Sequence, residues 1–138
     1  MRIFLDANIL VSVLNKEYPL FSSSARIVNL AYNKFFLVFT SPICLAIAFS
    51  FAGKKSGTQI AKKKIEILVD KLAITDVGKK EVIQSLHNKK VNDFEDGLEY
   101  YAAVSSNCDV IITEDINVFY FSSIPVFFLQ SKKQWPGK

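Results

Sequence analysis

Short, nearly continuous apolar runs alternate with longer stretches of helical periodicity along most of this chain. The runs predict buried β-strands at residues 2–5, 35–40, 72–75, 109–113 and 125–129. Runs that are apolar at almost every position are typical of parallel strands, which are covered on both faces. The strand pattern therefore favours an α/β protein with a parallel sheet.

The segments between these strands carry the spacing and end signals of helices. Ser41 and Pro42 supply an N-cap and a proline at the first helical position, and Asn92 is followed three residues later by Glu95, as in a capping box. We predict helices at 7–14, 22–32, 42–53, 58–71 and 79–87, and a further one starting after Asn92. Strands that alternate with helices predict a three-layer α/β/α sandwich around a mostly parallel five-stranded sheet.

Length and composition indicate one domain. The chain has 138 residues, is 50% hydrophobic and has a mean hydropathy of +0.22, enough for one sizeable core. We expect a single domain over residues 1–130 and a tail over 131–138. No apolar run reaches the roughly 18 residues of a membrane span, so we expect a cytoplasmic protein without membrane association. Cys44 and Cys108 are predicted to be reduced, small hydrophobic residues.

Charge is unevenly distributed. The net charge is +4 and the pI is about 9.0, yet seven of the 13 acidic residues lie between Asp93 and Asp115, while ten lysines lie between Lys54 and Lys90. A basic field beside an acidic site suits a polyanionic substrate, and Lys54, Lys55 and Lys62 are candidate nucleic-acid contacts. The alternative is that these lysines only solvate exposed helix faces.

Carboxylates occur where a parallel sheet would bring them together. Asp6 follows the first strand and Asp115 the fourth, so both belong at the same sheet edge, and Asp96 lies in the first turn of the intervening helix. Carboxylates that meet at one edge repel each other and need a cation, which predicts a metal site. The alternative for Asp93, Glu95 and Asp96 is stabilisation by the helix dipole.

Three motifs, in this order and spacing, resemble those of PIN domains, the nuclease family that includes VapC-type toxins. They are Phe4–Leu10 (FLDANIL), Asp93–Leu98 (DFEDGL) and Ile111–Asp115 (IITED). The resemblance spans residue 3 to about residue 128. It implies an active site that uses Mg²⁺ or Mn²⁺ to cleave RNA, with Asp6, Asp96 and Asp115 as catalytic metal-binding acids. It also implies that Asn8 and Thr113 orient them.

One position departs from the family pattern. PIN domains usually carry a further acid on the helix after the second strand, and here residues 41–48 read SPICLAIA, without a carboxylate near the expected position at Ala46. Fewer anionic ligands weaken metal binding. Asp93 or Glu99 could replace the missing ligand.

These residues support three hypotheses. The first is an active ribonuclease, the toxin of a toxin–antitoxin pair, with RNA and an antitoxin as partners. The second is a catalytically impaired PIN fold that binds RNA or a protein. The third is a phosphatase with Asp6 as nucleophile, although Asn8 stands where such enzymes need a second aspartate. The apolar helix at 9–14 further suggests a homodimer surface, the alternative being burial within the monomer.

Overall fold

The fold was examined in a computed structural model, which describes residues 1–17, 21–115 and 117–129. Its sheet has five strands in the order β3-β2-β1-β4-β5, all parallel, which confirms the predicted sheet. The predicted tail at 131–138 lies outside the described residues. The strands are Arg2–Leu5 (β1), Leu37–Thr40 (β2), Ala73–Ile74 (β3), Val110–Thr113 (β4) and Val126–Phe128 (β5).

Within the described residues six α-helices accompany this sheet, which agrees with the predicted α/β class. Helix α3 packs against α1 and α4, and α5 packs against α6. The predicted helix at 22–32 is divided, because α2 ends at Asn29 and a 3-10 helix follows at Leu30–Tyr32. The α-helices are Ala7–Leu14 (α1), Phe21–Asn29 (α2), Pro42–Ser56 (α3), Thr58–Val69 (α4), Lys79–His87 (α5) and Phe94–Ser105 (α6).

Local capping sets the start of the two helices that matter most for the site. Ser41 caps α3 as predicted, its Oγ accepting a hydrogen bond from the Cys44 N–H at 3.1 Å. The predicted capping role of Asn92 is wrong. Asp93 is the N-cap of α6, with Oδ1 accepting from the N–H groups of Glu95 (2.9 Å) and Asp96 (3.3 Å).

The register of the central strands decides which residues meet at the carboxyl edge. Strand β1 pairs with β4 so that Leu5 lies beside Ile112, and the Asp6 N–H donates to the Ile112 carbonyl at 3.0 Å. Asp6, which follows β1, and Thr113, the last residue of β4, are therefore neighbours although 107 positions separate them. This edge of the sheet carries the candidate site.

The apolar residues of α1 belong to the core of the chain. Ile9 and Leu10 have no exposed surface, and Val11 and Leu14 are each 8% exposed. The expectation that these residues form a surface for self-association is therefore wrong, because the rest of the chain already covers them.

Candidate active site

Asp6 forms the floor of an acidic cleft. It is 6% exposed, and each of its carboxylate oxygens accepts a hydrogen bond: Oδ1 from the Ala7 N–H at 2.7 Å and Oδ2 from the Thr113 hydroxyl at 2.7 Å. Hydrogen bonds to the charged form stabilise a buried carboxylate. The Asp6 side chain is therefore held in one orientation at the end of β1.

Asn8 and Thr113 connect the ends of β1 and β4. The Asn8 amide donates to Thr113 Oγ1 at 3.1 Å and accepts from the Glu114 N–H at 3.2 Å. Thr113 Oγ1 also accepts from the Asp115 N–H at 3.2 Å. This network fixes the loop after β4 relative to Asp6.

Helix α6 contributes Asp96 and Glu99 to the same cleft. The cleft has a volume of about 330 Å³, and both side chains line it together with Asp6. Because they lie three positions apart, the two acids project from one side of α6. Asp93, the other candidate replacement ligand, does not line the cleft and uses its carboxylate as the helix cap. Glu99 is thus the better placed of the two.

Helix α3 presents apolar side chains to the cleft. Ile47 and Phe51 line it, whereas Ala46, the expected site of the missing acid, is exposed on another side of the helix. Ile47, one position after Ala46, is therefore the neighbouring side chain that faces the cleft, and α3 lines the cleft with apolar groups.

Asp115 lies at the rim rather than the floor. It is exposed, and its Oδ1 accepts from the Asn117 N–H at 2.9 Å, although its charge still acts on Asp96. Glu114, its neighbour, lines the cleft instead, as do Glu17 and Glu95. None of these three glutamates was predicted to be a site residue. Only Glu114 could have been predicted from the sequence, because it directly follows Thr113 at the end of β4.

Mutual repulsion and burial perturb the acids of this cleft. Burial, aided by the charges of Asp93 and Asp6, raises the pKa of Asp96 from 3.8 to about 6. Burial and the Asp6 charge raise the pKa of Glu99 from 4.5 to about 10. Burial and the charge of Glu17 raise the pKa of Glu114 as well. Among the described residues no cation forms an ion pair with any of these acids, so the cleft has unbalanced negative charge.

The three candidate lysines have different surroundings. Lys54 Nζ lies 5.6 Å from the ring centroid of Phe51, which places it beside the cleft. Lys55 donates to the carbonyl of Asn15, the C-cap residue of α1, a contact that stabilises that helix end. Lys62 is exposed on α4.

The fold and the site together define a parallel α/β protein with a carboxylate cleft at the carboxyl edge of its sheet. The family model of the PIN domain matches residues 2–117. The chain belongs to the PIN domain family.

Individual relatives agree with this assignment. The chain is 27% identical over 130 residues to "Ribonuclease VapC1" of Aquifex aeolicus (strain VF5), covering 91% of this chain and 88% of that protein. In fold it is similar to VapBC2 from Rickettsia felis, solved with a promoter DNA fragment, with a TM-score of 0.72 and 20% identity over 94% of this chain and all of that one. It is also similar to Mycobacterium tuberculosis VapC20, described as a sarcin-ricin loop cleaving toxin, with a TM-score of 0.66 and 16% identity over 83% of this chain and 91% of that one.

Within residues 1–17, 21–115 and 117–129, no helix combines the length and apolar character of a membrane span.

Proposed function

We propose that this protein is a divalent-metal-dependent ribonuclease of the PIN type that acts as the toxin of a toxin–antitoxin pair. The observation that carries the proposal is the cleft itself, in which Asp6, Asp96 and Glu99 converge without a described cation to balance them. The name of the Aquifex relative and the toxin–antitoxin assemblies among the structural neighbours support the same activity and an antitoxin partner.

The donor set fits Mg²⁺ or Mn²⁺, since carboxylate oxygens are the ligands these hard cations prefer. Asp6, Asp96 and Glu99 would hold the cation, with Asp115 contributing from the rim. The buried Glu114 Oε2, which has no hydrogen-bond partner among the described residues, also agrees with a missing positive charge. When bound, such a cation neutralises phosphate charge and makes a nearby water a better nucleophile.

The chain's own residues hold the Asp6 carboxylate in position and attract the substrate. Thr113 and Asn8 hold the Asp6 carboxylate in place, so little reorganisation is needed when substrate arrives. The net charge of +4 attracts RNA towards the molecule, and Lys54 at the rim is placed to contact a phosphate. An RNA substrate is consistent with a cytoplasmic location.

The activity is tested on purified protein with end-labelled single-stranded RNA, with Mn²⁺ or with EDTA. We expect Mn²⁺-dependent cleavage that falls at least about 100-fold in Asp6→Asn and in Asp96→Asn, because each removes a charged ligand. Asp76→Asn, an exposed aspartate that does not line the cleft, serves as the matched control and should cleave like the wild type. Equal cleavage by the wild type and Asp6→Asn would reveal a contaminating nuclease.

A second candidate is favoured by Ile47, which places an alkyl side chain where the cleft faces α3. In that case the protein is a catalytically impaired PIN fold that binds RNA or a protein partner. Calorimetry distinguishes the two candidates, because the impaired protein would not bind Mn²⁺ at millimolar concentration. Expression in a bacterial host adds a second criterion: a toxin arrests growth, and Asp6→Ala relieves the arrest.

The phosphatase hypothesis has no comparable support. Both Asp6 oxygens already accept hydrogen bonds, and Asn8, at the position of the required second acid, is engaged with Thr113 and Glu114. An acid–base residue at that place would need a titratable group, which an amide lacks.

A further inference from the structure

At the floor of the cleft, three buried side chains from three separate elements bring metal-ligating atoms together. A carboxylate oxygen of Asp6 (after β1), Sγ of Cys44 (α3) and a carboxylate oxygen of Glu99 (α6) all lie within 4.8 Å of one another. The three residues are 6%, 0% and 2% exposed, respectively. This grouping, the sulfur-containing triad, is distinct from a purely acidic site because one of its donors is a thiol.

The position of Cys44 follows from the way α3 begins. Ser41 caps the helix and Pro42 fixes its first turn, so Cys44, three residues after the cap, is directed inward. Its Sγ lies within 4.8 Å of a carboxylate oxygen of Asp6 and of one of Glu99. The sulfur is therefore held beside the carboxylates instead of packing only against apolar groups.

Glu99 lacks the partners that a buried carboxylate normally has. A carboxylate oxygen of Glu99 lies within 4.8 Å of the ligand atoms of Asp6 and Cys44, and among the described residues no backbone N–H group and no cation pairs with it. When all three groups are ionised, burying them together costs free energy unless a positive charge joins them. A cation bound between these three groups would satisfy all of them.

We propose that Cys44 is a sulfur ligand of the metal site and that this protein therefore prefers a thiophilic cation of the Zn²⁺ or Co²⁺ type to Mg²⁺. The inference rests on the proposed metal site and deepens it, because it concerns which ion that site selects. Thiolate ligands favour such ions, whereas Mg²⁺ takes oxygen ligands.

The spacing of the triad is close to what coordination requires. Metal–sulfur bonds of about 2.3 Å and metal–oxygen bonds of about 2.0–2.2 Å span at most about 4.5 Å between two donors. Donor atoms within 4.8 Å of one another need only a small side-chain adjustment to reach a common ion. On binding, a sulfur–metal bond replaces the S–H bond of Cys44 and the proton leaves to water.

Titration of the purified protein with Co²⁺ tests the proposal, because a cobalt–thiolate bond produces an intense near-ultraviolet charge-transfer band that oxygen ligands do not give. We expect this band in the wild type and its loss in Cys44→Ser, together with a decrease in Co²⁺ affinity of about tenfold or more by calorimetry. The ratio of Co²⁺ affinity to Mg²⁺ affinity should therefore fall in Cys44→Ser, because a thiolate ligand favours Co²⁺.

Cys108→Ser is the matched control, since Cys108 is also a buried free thiol but precedes β4, at the opposite end of that strand from the cleft. It should keep the band. If Cys44→Ser fails to fold, Cys44→Ala, which is small and apolar, replaces it.

The outcomes separate this inference from the proposed function. A band of equal intensity in Cys44→Ser, or Co²⁺ binding by the wild type without any band, would overturn the role of Cys44 and leave an all-oxygen metal site intact. A wild-type protein that binds neither Co²⁺ nor Mn²⁺ would overturn both.

Discussion

Replacing Glu99 by glutamine should change how the stability of the metal-free protein depends on pH. Glutamine has nearly the same shape as glutamic acid but cannot ionise. Burial and Asp6 raise the pKa of Glu99 from 4.5 to about 10, so between these values the folded protein keeps a proton that the unfolded chain has released. The stability that Glu99 contributes is therefore complete below pH 4.5 and is lost as the pH rises towards 10.

The expected difference in the free energy of unfolding follows from the single proton that Glu99 releases when the protein unfolds. Each pH unit in this range costs the wild type about 1.4 kcal/mol relative to Glu99→Gln, and about 3 kcal/mol between pH 7 and pH 9. For a chain of this length, that corresponds to a difference of roughly 8 °C in Tm. Asp96, with a pKa of about 6, has finished titrating below this interval and does not disturb the comparison.

Thermal unfolding in EDTA at pH 7, 8 and 9 measures this effect as the difference between the wild-type and Glu99→Gln profiles. The matched control is Glu66→Gln, which changes an exposed glutamate on α4 and should follow the wild type. Saturating Mn²⁺ at pH 7.5 should raise the Tm of the wild type more than that of Glu99→Gln, since only the wild type gains a charged ligand. Parallel profiles for the wild type and Glu99→Gln would refute the reasoning.

Three further changes test the cleft and its support. Ile47→Glu restores an acid to the α3 side of the cleft and should increase Mn²⁺ affinity about tenfold by calorimetry; unchanged affinity would contradict the position assigned to Ile47. Phe51→Ala removes a ring that is 48% exposed at the cleft and should weaken binding of single-stranded RNA to an inactive variant by at least about fivefold, measured by fluorescence anisotropy. Phe35→Ala, which removes a 70% exposed ring that also has a lysine beside it, should bind normally. Gly97→Ala places a Cβ 2.8 Å from Val91 Cγ1 and 3.0 Å from Ser85 Cβ and should lower the free energy of unfolding by about 1–3 kcal/mol in urea titrations; equal stability would mean that these two side chains can move away.

Much of the fold could be predicted from local sequence. The apolar runs of β1 and β4, and the Ser41–Pro42 signal of α3, depend on short-range properties of the chain, and the structure contains each element close to its predicted bounds. Strand-helix alternation also fixed the parallel sheet, because a crossover between parallel strands needs a helix. For the same reason Asp6 and Asp115, which follow β1 and β4, could be predicted to lie at the same edge of the sheet.

The composition of the site depended on tertiary packing. Sequence spacing placed Asp96 and Glu99 on one side of α6, but the packing of α6 beside α3 decided that this side faces the cleft. The rotation of α3 about its axis, set by contacts with α1 and α4, directs Ile47 to the cleft and Cys44 to the interior.

The sequence by itself thus determined that this is a PIN-type sheet with Asp6 at its carboxyl edge. Only the tertiary structure decided that a glutamate and a cysteine from two other helices join Asp6 there, while Asp115 lies at the rim. The physical reason is the sequence distance between the residues that determine each feature. Strands and helices depend on residues close together in the sequence, whereas the rotation and approach of packed helices depend on side chains distant in the chain.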